Sequence, residues 1–207
     1  MLKFYHAPWS RSSGILWLLE ELAVPYRIES VDIRGSVPES YRDIQPNKKV
    51  PAIEHDGVVV TERAAICLYL TETFPEGGLA PQVGDKSRPA FLTWLVYCDS
   101  VLDPALAAKA QGWKYEGNHF SFGSFDDMIR NVEKTLEQHP YAAGDEFTAA
   151  DTQLASGVHY AINILKVLPD RPVFSDYLAR TTERRAFQRA MARDAEFIKQ
   201  VTPPKFG

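Results

Sequence analysis

The chain has 207 residues, 45% of them hydrophobic and 24% charged, with a formal net charge of -4. That is the balance of a globular protein able to bury a core without staples. The charge does not point to a nucleic-acid partner, no run approaches the ~18 apolar residues of a membrane span, and the opening "MLKFYHAPWS" lacks the build of a signal peptide. Two cysteines, Cys67 and Cys98, fall in helical patterns. They fit a reducing cytoplasm rather than a disulfide framework.

"LKFYH" predicts a short strand with Leu2, Phe4 and His6 on one face. From Ser12 the period becomes helical: Ile15, Leu18, Leu19 and Leu22 form a stripe, and Glu20–Glu21 is expected to face water. Pro25 closes that region. "YRIESVDI" predicts a second strand, and Pro38 to Ile44 a short irregular helix. "PAIEHDGVVVTE" predicts a hairpin over Ala52 to His55 and Val58 to Thr61, turning at Asp56–Gly57. A helix with Ile66, Tyr69, Leu70 and Phe74 buried follows. "PEGGLAPQVGDKSRP" reads as a linker.

Beyond it no strand is expected. Phe91, Leu95, Leu102 and Leu106 predict a long helix, and "GWKYEGNHFSFGS" an aromatic loop. "FDDMIRNVEKTLEQH" predicts a helix capped by Ser124 with Asp127 at its third position. Leu154, Val158, Ile162 and Leu165 mark another helix, and "YLARTTERRAFQRAMAR" an arginine-rich helical tail. The expected organisation is an α/β domain at 1–78, a linker at 79–86 and an all-α helical domain at 87–207. The order β-α-β-α-β-β-α, with a parallel first pair and a closing hairpin, is that of a thioredoxin-like fold. It predicts architecture without activity.

Three motifs, in order, carry a resemblance: "KVPAI" (Lys49 to Ile53), "TERAAICLYL" (Thr61 to Leu70) and "FTAADTQLA" (Phe147 to Ala155). Together they resemble the cytosolic glutathione transferases of bacterial, serine-type kind, nearly end to end. The resemblance implies a cis Pro51 that aims the backbone of Val50 at the cysteinyl part of glutathione. It implies that Glu62 takes the γ-glutamyl ammonium at a helix N-terminus, where free N–H groups suit a carboxylate. Lys49, Val50, Pro51, Glu62 and Arg63 are thus the implied glutathione-binding set. The family's Glu-Ser pair is Glu62–Arg63 here. The Arg63 guanidinium could grip a carboxylate bidentately or point to solvent. Thr148 and Asp151 form a capping box with a folding role.

Glutathione chemistry needs a thiolate. A free cysteine thiol titrates near ~8.5, and lowering that by ~2 units takes about 2.7 kcal/mol. One hydrogen bond to a charged group supplies ~1.5–3 kcal/mol, so a placed hydroxyl does most of the work. "PWS" resembles the "PGS" of serine-type classes, which implies Ser10 as that hydroxyl. Ser12 is the alternative if the loop register slides, and Tyr5 a third hydroxyl whose alternation suggests packing. Either serine could instead simply cap the first helix.

The turn holds no Cys-x-x-Cys, which excludes a dithiol mechanism and speaks against a mixed-disulfide thiol transferase. The histidines, His6 among them, lack metal-ligand spacing, so no metal is expected. Trp9, Tyr97 and Trp113 are candidates for an apolar acceptor pocket, with Asp99 in the same helix as Tyr97. The function implied is conjugation of glutathione, as co-substrate, to a hydrophobic electrophile of the detoxification kind, by a cytoplasmic homodimer. The alternatives are a non-catalytic glutathione- or protein-binding member and a glutathione-dependent isomerase, whose fuller signature "SRSSGILWL" lacks.

Overall fold

The computed structural model describes residues 1–204. Its contacts form two compact units, one of Met1–Gly77 with the chain from Glu183 onward, the other of Gly78–Thr182.

In the first unit, β1 (Leu2–His6), β2 (Tyr26–Ser30), β3 (Ala52–His55) and β4 (Val58–Thr61) form one sheet in the order β2-β1-β3-β4. β1 runs parallel to β2, with Leu2 opposite Tyr26, and antiparallel to β3, with Phe4 opposite Ile53. The hairpin turns at Asp56 and Gly57, whose φ of 50° and 83° suit a tight two-residue turn. Leu2, Phe4 and His6 are all buried, while Tyr5 packs its ring 5.6 Å from that of Tyr41. Residues Glu39–Asp43 form a 3-10 turn. The helices are α1 (Ser13–Leu22) and α2 (Arg63–Thr73), with α8 (Arg185–Phe197) joining them from the far end of the chain.

α8 overturns two expectations. Glu20 and Glu21 do not face water. Arg184 grips Glu21 with Nε at 2.6 Å and Nη2 at 2.8 Å. Arg189 Nε lies 2.8 Å and Arg193 Nε 3.2 Å from the Glu20 carboxylate, which also accepts the Tyr26 hydroxyl at 2.6 Å. The Trp17 and Phe187 rings meet edge to face at 4.9 Å. The arginine-rich tail is also two helices, α7 (Pro172–Thr182) and α8, which fall in different units. The expected helical domain at 87–207 thus differs from the observed division, because α8 buries its face against α1.

The second unit is helical. α3 (Arg88–Tyr97), a π turn (Cys98–Leu102) and α4 (Asp103–Ala110) form one 23-residue helix, long and apolar enough to cross a membrane by length and composition. Here Phe91, Leu95, Leu102 and Leu106 are buried as core. Gly157 lets α6 (Ala149–His159) come close: a Cβ there would stand 2.6 Å from Leu102 Cδ2. Ser124 caps α5 (Phe125–Gln138), accepting the Asp127 N–H at 3.1 Å. The segment read as linker is partly anchored, since Leu79 is buried and its carbonyl accepts the Ala149 N–H at 2.8 Å.

The capping box of α6 forms as expected. Asp151 is fully buried and accepts the N–H groups of Thr148 (2.9 Å) and Ala142 (2.8 Å) and the Tyr177 hydroxyl (2.9 Å). Burial pushes its carboxyl above the usual range, against the pull of those bonds. Asp151→Ala leaves these buried donors unpaired and is expected to cost about 2–4 kcal/mol, read from the urea unfolding midpoint.

Burial also pushes Glu20 up, but its bonds from Tyr26 and Arg189 and the charges of Arg193 and Arg189 outweigh burial and hold it below the ordinary range. A depressed carboxylate stabilises the fold above its unfolded pKa, and that stabilisation is lost as pH falls through the folded value. Glu20→Gln is expected to lower the denaturation midpoint at neutral pH and to converge with the wild type in acid, checked by unfolding both across pH.

Candidate functional site

The turn from β1 into α1 builds the site. Trp9 adopts a φ of 54°, reversing the chain. Arg34 holds the turn from outside, donating from Nη1 to the Pro8 carbonyl at 3.2 Å and from Nη2 to that of Trp9. Ser12 sits at the N-cap of α1, yet its backbone is helical and its side chain makes no capping bond. It turns back instead, accepting the Ala7 N–H at 3.2 Å and lying 2.7 Å from His6 Nδ1. Ser12 is fully buried, so its hydroxyl cannot meet a sulfur directly. Ser10 is half-buried. Its Oγ lies 2.7 Å from both the Ala7 carbonyl and Ser12 Oγ, and accepts the Ser12 N–H at 3.1 Å. Tyr5 donates to Glu54 at 3.2 Å; burial first, then that bond, push its phenol up.

Behind the serines stands His6, which the sequence reading set aside for want of metal-ligand spacing. Its ring has no exposed surface, and Nε2 lies 3.1 Å from Asp194 Oδ1 on α8. Ser13 Oγ donates to the same oxygen at 2.9 Å. The alternation of β1 could have flagged His6 as a polar group on a buried face. Nothing local could have flagged Asp194.

The Val50–Pro51 bond is cis. The Tyr41 hydroxyl donates to the Lys49 carbonyl at 3.0 Å, and the Lys49 N–H to Gln45 Oε1 at 3.0 Å. Burial pushes the Tyr41 phenol up. Lys49 is anchored through its backbone with its side chain exposed, while Val50 is buried. Among the described residues no hydrogen bond uses the Val50 N–H or carbonyl. Glu62 is exposed at the N-cap of α2 with a φ of 67° and no side-chain capping bond. Arg63 is only 5% exposed, so it does not point to solvent.

Residues 8–73 match the model of the glutathione S-transferase N-terminal domain. The disulfide-bond oxidoreductase YfcG of Escherichia coli K12 is 30% identical over 171 residues, 73% of this chain and 76% of that protein. The chain belongs to the glutathione transferase family. Glutathione S-transferase 3 of Schizosaccharomyces pombe is 27% identical over 173 residues, 74% of this chain and 72% of its own. The crystal structure of a glutathione transferase from Methylococcus capsulatus matches with a TM-score of 0.80 at 28% identity, covering 95% of this chain and 100% of that one. The thioredoxin-like first domain and the helical second one are therefore the family's architecture.

In this glutathione transferase the acceptor candidates are spread over separate features. Trp9 belongs to the serine turn of the first unit. Tyr97 lies on α3 with its ring 4.9 Å from that of Trp94. Burial pushes the Tyr97 phenol up and a hydrogen bond with Asn131 pulls it down. Trp113 is 61% exposed. It stands in a loop where Tyr115 packs 5.5 Å from Phe120 and 5.3 Å from Phe122. Asp99 falls in the π turn. Cys67 and Cys98 are buried thiols. Among the described residues no cluster of three or more His, Cys, Asp or Glu could hold a metal ion.

Proposed function

We propose that this chain binds glutathione in its first unit, stabilises the thiolate with the Ser10 hydroxyl, and delivers it to a hydrophobic electrophile. Sulfur supplies the electron pair of the new S–C bond, and the electrophile releases its leaving group or takes up the displaced electrons. The observation that carries this reading is the split between the two serines: Ser12 is sealed in, and Ser10 beside it is open to an incoming group. The cis bond at Pro51 and the unused backbone of Val50 support a docking edge for the cysteinyl part, which would pair there as an added strand does. Glu62 at the start of α2 supports an ammonium contact, and the buried Arg63 supports a carboxylate grip where the family has serine. The working form we infer is a two-fold homodimer in a reducing cytoplasm.

A second reading has one observation in its favour, the disulfide-bond oxidoreductase name of the YfcG relative. The same thiolate would then attack a disulfide sulfur, forming a mixed disulfide and expelling the other sulfur as thiolate. No second protein cysteine is needed for that step. Turnover of an aryl halide and of a small mixed disulfide, measured side by side, separates the two. Turnover of neither would favour the non-catalytic binding role.

Ser10→Ala is expected to lower kcat/KM for the aryl halide about 10–100-fold, the worth of one charge-assisted hydrogen bond, while glutathione still binds. Arg63→Ala is expected to weaken glutathione binding about tenfold or more. Binding of the Cys-Gly dipeptide, which lacks the γ-glutamyl group, is expected to stay unchanged, and calorimetry on both ligands checks this.

A further inference from the structure

A buried imidazole needs both ring nitrogens accounted for. In His6, Nε2 faces the Asp194 carboxylate at 3.1 Å, near enough for charge attraction but outside the geometry of a hydrogen bond. The phenyl rings of Phe4 and Phe197, centred 5.3 and 6.3 Å away, also border the imidazole. An ionised carboxylate can only accept. It therefore holds the proton of the neutral ring on Nε2 and leaves Nδ1 to accept from Ser12, 2.7 Å away. Ser12 spends its one proton on the ring while its oxygen takes the Ala7 N–H. The Ser10 proton points inward as well, to the Ala7 carbonyl or to Ser12 Oγ, each 2.7 Å off. In this state Ser10 has no proton to offer a thiolate. It has a lone pair to offer a thiol.

We propose that Ser10, Ser12 and His6 form a relay that takes the proton from the glutathione thiol and keeps it on His6, opposite the Asp194 carboxylate. The S–H bond breaks and sulfur keeps the electron pair. The thiol proton bonds to Ser10 Oγ, the Ser10 proton moves to Ser12 Oγ, and the Ser12 proton moves to His6 Nδ1. Each hydroxyl ends with one proton, and the ring gains one positive charge facing a negative one. Ser12 can then turn its proton to the Ala7 carbonyl at 3.1 Å, and Ser10 points its own at the thiolate. One proton shift thus converts Ser10 from acceptor to donor. Ser10 touches the reacting sulfur; Ser12, His6 and Asp194 are positioning residues that act through it. The proposal rests on the reading of Ser10 as the hydroxyl beside the sulfur.

The test is a calorimetric titration of the full chain with reduced glutathione, in two buffers of different ionisation enthalpy, with the ultraviolet thiolate band recorded alongside. The wild type is expected to show the band while releasing much less than one proton to buffer. Ser12→Ala and Asp194→Asn, checked for folding by circular dichroism, are expected to bind glutathione but lose the band about tenfold or more. A wild type that releases one full proton as its thiolate forms overturns the relay, and that count decides even where a variant does not fold. Ser12→Ala and Asp194→Asn that both keep the band, while Ser10→Ala loses it, overturn the relay and leave Ser10 standing. Ser10→Ala that keeps the band overturns the Ser10 reading and the relay with it. Absence of glutathione binding in the wild type overturns both.

Discussion

The docking of α8 on α1 is the interaction on which the first unit depends. Two adjacent carboxylates, Glu20 and Glu21, would be costly under a packed helix unless paired. Arg184 and Arg189 donate to them from Nε, and Arg193 adds a third ion pair. The Trp17–Phe187 ring contact supplies the apolar part. Once α8 lies on α1, Asp194 falls beside Ser13 and His6. The end of the chain follows, with Thr202 donating through its N–H and hydroxyl to Asp32 at 2.8 and 2.7 Å. A salt-bridged helix pair and the floor of the serine turn are thus one piece of packing.

The two units use buried carboxylates for different ends. Asp151 is saturated by three donors of its own unit plus the Thr148 hydroxyl at 3.2 Å. A group so fully satisfied organises the start of a helix and has nothing left to offer a ligand. Asp194 is different. It accepts from Ser13 and stands against an imidazole nitrogen that no hydrogen bond satisfies among the described residues. Native interiors rarely leave a buried ring nitrogen in that condition without a role for it. The contrast separates a structural carboxylate from one that leaves charge available beside a site.

Much of the fold was legible because its signals are local. The hairpin follows from alternation on both sides of Asp56–Gly57, and both strands end where the pattern ends. The capping box needed only Thr148 and Asp151 at their spacing. Glu20–Glu21 was misread because an amphipathic count assigns charge to water and does not see arginines some 160 residues later. For the same reason the helical tail was assigned whole to the second domain, when the chain from Glu183 onward, α8 included, packs in the first unit. The long helix from Arg88 was legible from the spacing of Phe91, Leu95, Leu102 and Leu106, all four of which are buried.

At the site, sequence alone determined the hydroxyls of the turn, the proline at 51, the acidic start of α2 and the family they belong to. These are spacings of a few residues, set by backbone geometry that short motifs encode. The tertiary structure decided which serine is sealed and which is open, that Arg63 is buried, and that His6 faces Asp194. The last contact pairs a strand near one end of the chain with a helix near the other. It exists only because burial and charge pairing bring α8 back onto α1, and no local pattern records a partner chosen by packing.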